Sequence, residues 1–467
     1  MKILLQLWLV ELALLTKKCF FYLLIILFLS CQDKGNSLTP RNSDIDYKEY
    51  ILNDDGSIEY TEMSINDFQP SKDCKECHET HYNEWVNSMH AYSMKGPLFF
   101  SRWNEEKIKR HTGERFCVQC HSPVAFVTGT PLDEYSSASE LQESYISETI
   151  KEGVGCDICH TATQLSPSVH TDNTVAAIAE YFLNPGENIK YGSLKDPISN
   201  TFHDSEYNPI YARSEICLPC HDLTVRDVEA EITFTEWNRI PSLSMSGALS
   251  CQECHMPMKS NGYHDHSFVG VGLDLTYPPN DNPQYQSVQN LLNSALDIKF
   301  GSSSDTLVNK IKSGDTLKIP ITISSKTAHS IPSGVSFARE AWLRITIEDD
   351  NENIIFESGD VSSNEPLSKN DSSLLYFTSY LLDENQDTTS SVTDVESIIN
   401  NSLMAFSERF HLYKVKIPSS VTGNIKIDIK MLFRNFKPSL LDQHEELLQN
   451  LTIFVMAETM QVIEVIE

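Results

Sequence analysis

Ten of the twelve cysteines in this 467-residue chain fall into five units of one form: Cys74–His78 (CKECH), Cys117–His121 (CVQCH), Cys156–His160 (CDICH), Cys217–His221 (CLPCH) and Cys251–His255 (CQECH). In C-x-x-C-H, two thiols and the adjacent imidazole must all reach one object. The spacing is the c-type heme attachment signature: the thiols form thioethers with the heme vinyl groups and the histidine binds iron. The predicted cofactor is therefore heme c, five copies, covalently held by Cys74/Cys77, Cys117/Cys120, Cys156/Cys159, Cys217/Cys220 and Cys251/Cys254, with His78, His121, His160, His221 and His255 as proximal ligands. The competing readings are a zinc site or a disulfide pair. Zinc commonly takes two C-x-x-C units, or one with a distant histidine pair, and has no need of a histidine directly after the second cysteine five times over.

Each iron has a sixth position. Ten further histidines could fill it: His81, His90, His111, His170, His203, His264, His266, His329, His411 and His444. A second imidazole suits electron transfer, whereas an open position allows catalysis. His170 is recommended only by the need for a fifth distal ligand, and His111 is the other candidate for the second heme.

The elements that must position these residues differ along the chain. First cysteines are 43, 39, 61 and 34 residues apart. That density leaves little room for an ordinary apolar core around each heme, so the porphyrins are expected to form the core, wrapped in short helices and loops. Helices are predicted at Thr80–Met94 and Ser139–Glu152. A faint internal echo links NEWVNSMHAYSMKG with TEWNRIPSLSMSG, headed by Trp85 and Trp237.

From about residue 295 apolar residues alternate with polar ones: Leu317, Ile319, Ile321, Ile323; Leu343, Ile345, Ile347; Ile425, Ile427, Ile429, Met431. Period two marks strands with one buried face. Asp349–Asn353 reads as a hairpin turn, Ser439–Leu448 as a helix, and the whole as a β-sandwich. The predicted fold class is a mainly α/irregular multiheme cytochrome c domain followed by an all-β sandwich-like domain.

The N-terminus carries an export signal. Lys17-Lys18, an apolar run Phe20–Leu29 and then LFLSCQ resemble a lipoprotein signal ending at Cys31; an uncleaved membrane anchor is the alternative. The predicted organisation is a signal peptide at 1–30, a polar tether at 31–70, a pentaheme domain at 71–290 and the β domain at 291–467. Both readings of the N-terminus place the body outside the cytoplasm. A lipid anchor at Cys31 would make it a periplasmic or outer-membrane-associated bacterial lipoprotein.

Lys and Arg number 36 against 65 Asp and Glu, a net charge of −29. That balance excludes nucleic acid as a partner, since phosphates call for basic surface.

The stretch CKECHETHYNEWVNSMHA resembles the opening of the multiheme cytochrome c family that includes the tetraheme cytochrome of nitrifying bacteria, in the hydroxylamine oxidoreductase-related group. FCVQCHSP, GVGCDICH, SEICLPCHD and SCQECHMP are similar to wordings around the family's hemes, and SKTAHSIPSG resembles a loop opening its C-terminal β domain. The resemblance implies His90, His203, His266 and His329 as distal ligands. His264 competes with His266. His81 is expected at the surface, and His411 and His444 in structural positions.

Two functions follow as expectations. The first is an extracytoplasmic pentaheme c-type cytochrome carrying electrons between redox protein partners in respiration. The alternative is a multiheme oxidoreductase acting on a small nitrogen or sulfur compound at one open heme. For the alternative, acid–base candidates lie near the motifs, such as Arg115, Tyr263 and Asp265, without forming a recognisable constellation.

Overall fold

The period-two runs become the longest strands: Thr316–Ser325, Glu340–Asp349, Gly423–Arg434 and Phe454–Ile466. The computed structural model describes residues 50–52, 58–60, 63–109, 113–167, 179–225, 227–244, 249–302 and 304–467. The predicted signal peptide, Cys31, most of the tether, His111 and His170 lie outside the described residues.

One sheet runs Lys310–Lys312, Phe454–Ile466, Gly423–Arg434, Glu340–Asp349, Ile354–Ser358, with Leu375–Phe377 also on Glu340–Asp349; a second runs Glu408–Lys416, Thr316–Ser325, Leu296–Phe300. Neighbours are antiparallel except Lys310–Lys312 beside Phe454–Ile466. Leu317, Ile319, Ile321 and Ile323 of one sheet and Ile345, Ile347, Ile425, Ile427 and Ile429 of the other are fully buried in one cluster. Burying such side chains contributes roughly 1.5–3 kcal/mol each, so the alternation holds the sandwich together. The hairpin turn forms as expected, its Asp349 Oδ1 accepting from the Asn351 and Asn353 backbone N–H groups. Leu273, Leu275, Val288 and Leu292 join this core from residues before the strands.

The preceding region is built of short helices, as the motif density implied, with three two-stranded sheets, Ala162–Pro167 with Ala179–Leu183, Ile189–Gly192 with Asp204–Tyr207 and Leu223–Val225 with Val228–Glu231, but the long helices predicted there are broken. Thr80–Met94 becomes Glu79–Trp85 and Met89–Tyr92, because Ser88 turns extended and its hydroxyl accepts from Ala91 N–H. This is the side-chain competition that favours caps over helix interiors. Ser139–Glu152 likewise divides into Ala138–Glu143 and Glu148–Lys151, with Ser144 extended between them. Ser439–Leu448 divides into Pro438–Leu441 and Glu445–Leu448.

The expectation that porphyrins alone form the core needs correction. Phe68, Met94, Phe100, Trp103, Val124, Phe126, Ile150 and Ile158 make an apolar cluster of their own. Its longest contributor is the helix Pro97–Lys109.

The echo noticed in the sequence is a structural repeat. Trp85 Nε1 donates to Val154 O, two residues before Cys156, at 2.8 Å; Trp237 Nε1 donates to Leu249 O, two residues before Cys251, at 2.9 Å. Ser71 Oγ accepts from Cys156 N and Ser214 Oγ from Cys251 N, at 2.9 and 3.0 Å. Each serine precedes the first cysteine of another motif by three residues. The same device thus sets the third motif against the first, and the fifth against the fourth.

Candidate functional site

Each attachment motif forms a single helical turn. His78 N–H donates to Cys74 O at 2.9 Å and His221 N–H to Cys217 O at 3.0 Å. The segments Cys156–His160 and Cys251–His255 are α-helical, and the second motif ends the helix Gly113–His121. Positions i, i+3 and i+4 then share one face, which turns both thiols and the imidazole toward one cavity of about 2080 Å³. That is well beyond the roughly 300–1,000 Å³ of an ordinary small-molecule site.

Across this cavity the histidines meet in twos. His78 faces His203 with ring centres 6.3 Å apart, His160 faces His266 at 6.3 Å, His255 faces His329 at 6.3 Å, and His221 faces His90 at 6.2 Å. Two imidazoles on one metal, with metal–nitrogen bonds of about 2.0 Å and ring centres about 1.1 Å behind each nitrogen, give a separation of about 6.2 Å. Among the described residues no three His, Cys, Asp or Glu side chains converge as a metal cage. Opposed pairs without equatorial protein ligands fit a metal whose other four bonds are supplied by a macrocycle, so the donor set suits heme.

Several of these rings are held in the tautomer that this role needs. Nδ1 of His160 bonds Tyr191 O at 2.7 Å, that of His255 bonds Val269 O at 2.7 Å, that of His203 bonds Asp204 O at 2.9 Å and that of His329 bonds Ser330 O at 3.1 Å. A backbone carbonyl on Nδ1–H leaves Nε2 as the free lone pair. Burial pushes His90 down to about 3 and His266 to about 4, and lowers His121, His160, His221, His255 and His329 as well. All stay neutral and able to ligate at physiological pH.

Each facing histidine has its own support. His266 sits on a loop whose backbone N–H donates to Glu84 Oε2 at 2.9 Å, and Lys259 bridges Glu84 and Asp265. His329 comes from the β domain. Glu236 Oε2 on the helix Thr233–Asn238 accepts from Ser330 N–H at 2.9 Å and from Ser333 Oγ–H at 2.7 Å, docking that loop. His90 and His121 are tied together by Ser93, whose hydroxyl contacts both backbone carbonyls at 2.8 Å. Gly153, with φ +77°, passes so close to Ser93 that a side chain would strike it.

The second motif is different. Among the described residues no histidine faces His121 across such a gap; Phe99 lies flat against its ring at 4.0 Å, and Nδ1 bonds Ser93 O at 3.1 Å.

The remaining candidates fall elsewhere. His81, expected at the surface, is half-buried and packs edge-on against His266 at 4.7 Å, because the helix Glu79–Trp85 places it one turn from His78. His264 bonds Met256 O through Nδ1 at 2.6 Å. His411 lies on the strand Glu408–Lys416 against Tyr413, and His444 stands at the start of Glu445–Leu448. Asp265 is taken up by Lys259 and Ser267 N–H, and Tyr263 by His81.

The thiols also come together between motifs. Cys74 lies within hydrogen-bonding reach of Cys156, Cys217 of Cys251 and Cys120 of Cys220, and Cys159 is near Cys220. Motifs one and three, three and four, four and five, and two and four are therefore neighbours.

The fold, with its five C-x-x-C-H turns, is one shared with a solved multiheme c-type cytochrome. Residues 73–161 match the family model described as cytochrome c554 and c-prime. The chain is similar in structure to a penta-heme cytochrome c552 from Thermochromatium tepidum, at 18% identity and a TM-score of 0.61, over 86% of this chain and 100% of that one. The CARDB domain of a Pyrococcus furiosus protein aligns at 9% identity and a TM-score of 0.16, over 37% of this chain and 86% of that one. No curated protein matches the chain.

Proposed function

We propose that the protein is an extracytoplasmic pentaheme c-type cytochrome that carries electrons between redox protein partners in respiration. The observation that carries this reading is the four histidine pairs at 6.2–6.3 Å. In this reading His203, His266, His90 and His329 are the distal ligands of the hemes at the first, third, fourth and fifth motifs. Bis-histidine iron is saturated, so those hemes exchange electrons and bind no substrate. The iron supplies the one-electron chemistry; the chain supplies axial ligands, burial and nearby charge. Neighbouring thiols favour a path one–three–four–five with the second heme branching at the fourth.

Export is part of the reading, because thioether attachment takes place outside the bacterial cytoplasm. A lipid anchor at Cys31 would hold the cytochrome at a membrane; no described helix is long and apolar enough to cross one. His121 supports a second reading, a multiheme oxidoreductase turning over a small nitrogen or sulfur compound at the second heme.

The test is the protein matured with a c-type heme attachment system. Its intact mass should show five heme additions. The reduced protein should pass electrons to a redox acceptor protein without turning over hydroxylamine, nitrite or tetrathionate. Carbon monoxide binding at one heme together with rapid turnover of one of those compounds would replace the first reading with the second. A folded, zinc-loaded, heme-free product would remove both.

A further inference from the structure

Arg339 stands directly before the strand Glu340–Asp349, ten residues after His329, and lines the cavity. Its Nη1–H donates to Ser333 O at 2.7 Å. The Gly334 backbone, at φ +67°, comes so near that a Cβ there would lie 3.0 Å from the same nitrogen. The guanidinium is thus fixed from the β-domain side by the loop that carries His329.

Its electrostatic position is unusual. Burial pulls Arg339 down to about 10, opposed by Glu231, yet among the described residues no carboxylate oxygen lies within the 4.0 Å of an ion pair. An arginine presents five N–H donors in a planar fork, and one of them is engaged. Arg339 is half-buried, and a cation drawn out of water without a counter-ion is costly. The same Ser333 shares a hydrogen bond of 2.9 Å between its hydroxyl and that of Thr233, and the next residue, Phe234, donates its N–H to His221 O at 3.1 Å. The fork therefore belongs to the fourth motif's side of the cavity.

A heme brings two propionate carboxylates, and bidentate pairing with a carboxylate is what a guanidinium fork does best. Resting on the five-heme reading above, we infer that Arg339 binds a propionate of the heme attached at Cys217/Cys220. It is a positioning residue with an electrostatic effect. A cation beside the porphyrin favours the ferrous state, which has one less positive charge, and so raises that heme's potential. The β domain then acts on the wire twice, ligating the fifth heme and tuning the fourth.

The experiment is potentiometry of holoproteins carrying R339Q and R339K, after mass has shown five hemes in each. R339Q should lower one of the five midpoints by about tenfold in the one-electron equilibrium, that is about 59 mV. R339K keeps the charge and should hold most of that potential, while the propionate bending band in its resonance Raman spectrum moves, because an ammonium contacts a carboxylate at a point. Unchanged midpoints and an unchanged propionate band in fully loaded R339Q would overturn the inference. If R339Q does not mature, a wild-type propionate band in R339K overturns it. Absence of heme from the wild-type chain would instead overturn the five-heme reading.

Discussion

His329 faces His255 with ring centres 6.3 Å apart and planes 17° from parallel. One ring belongs to an attachment turn and the other to a loop between strands of the sandwich, 74 residues further on. In the five-heme reading a rigid scaffold presents a loop ligand, and an iron held by both rings would fasten the two regions together. H329A should convert one heme from low-spin to high-spin and leave the others unchanged. E236A should loosen the same site, since hydrogen bonds to a charged acceptor are worth roughly 1.5–3 kcal/mol each and Glu236 accepts two from the His329 loop. Magnetic circular dichroism of the oxidised variants reads both effects. An unaltered spin count in H329A would make His329 a turn residue only.

The C-x-x-C-H turns were legible because their pattern is local: three side chains within five residues of one helical turn. The sandwich strands were legible because period two is enforced by burial on one face, as at Leu317, Ile319, Ile321 and Ile323. The pairing of histidines across the cavity was not, since His78 with His203 and His221 with His90 are brought together by long-range packing that no local pattern encodes. Nor were the breaks at Ser88 and Ser144, where capping competes with helix propensity. Arg339 carried no signal at all; its meaning lies in a cavity wall assembled by the fold.

Glu152 lies beside motifs one and three. It accepts from Ser71 N–H and Oγ–H, and its charge reaches Cys74 and Cys156. Burial outweighs those hydrogen bonds and pushes it up to about 7. Adding an electron to a nearby heme favours the protonated carboxyl, and by linkage protonation favours reduction. One midpoint potential should therefore fall as pH rises through about 7. E152Q should abolish that slope, read by spectroelectrochemistry on either side of the transition. A slope that survives E152Q would assign the proton to another group.

Arg434 and Glu340 form a buried ion pair inside the sandwich, with Arg434 Nε at 2.7 Å from Glu340 Oε1 and Tyr376 O–H donating to Glu340 Oε2 at 2.8 Å. Arg434 also donates to Ser363 O and Glu365 O at 2.7 and 2.8 Å, tying down the segment after Ile354–Ser358. R434M leaves the carboxylate buried without its cation and should cost about 3–5 kcal/mol; replacing both members, R434M/E340L, should recover much of the loss. Urea unfolding followed by far-ultraviolet circular dichroism measures both. Equal stability of R434M and wild type would make the pair dispensable.

The central claim is that four irons sit between paired histidines. Low-temperature electron paramagnetic resonance and near-infrared magnetic circular dichroism of the oxidised, fully loaded wild-type protein count bis-histidine low-spin hemes directly. The expected result is a bis-histidine low-spin count of at least four, with any high-spin signal confined to a single heme. Two or more high-spin hemes, or low-spin hemes with a ligand other than histidine at more than one site, would contradict the pairing of His78 with His203, His160 with His266, His221 with His90 and His255 with His329.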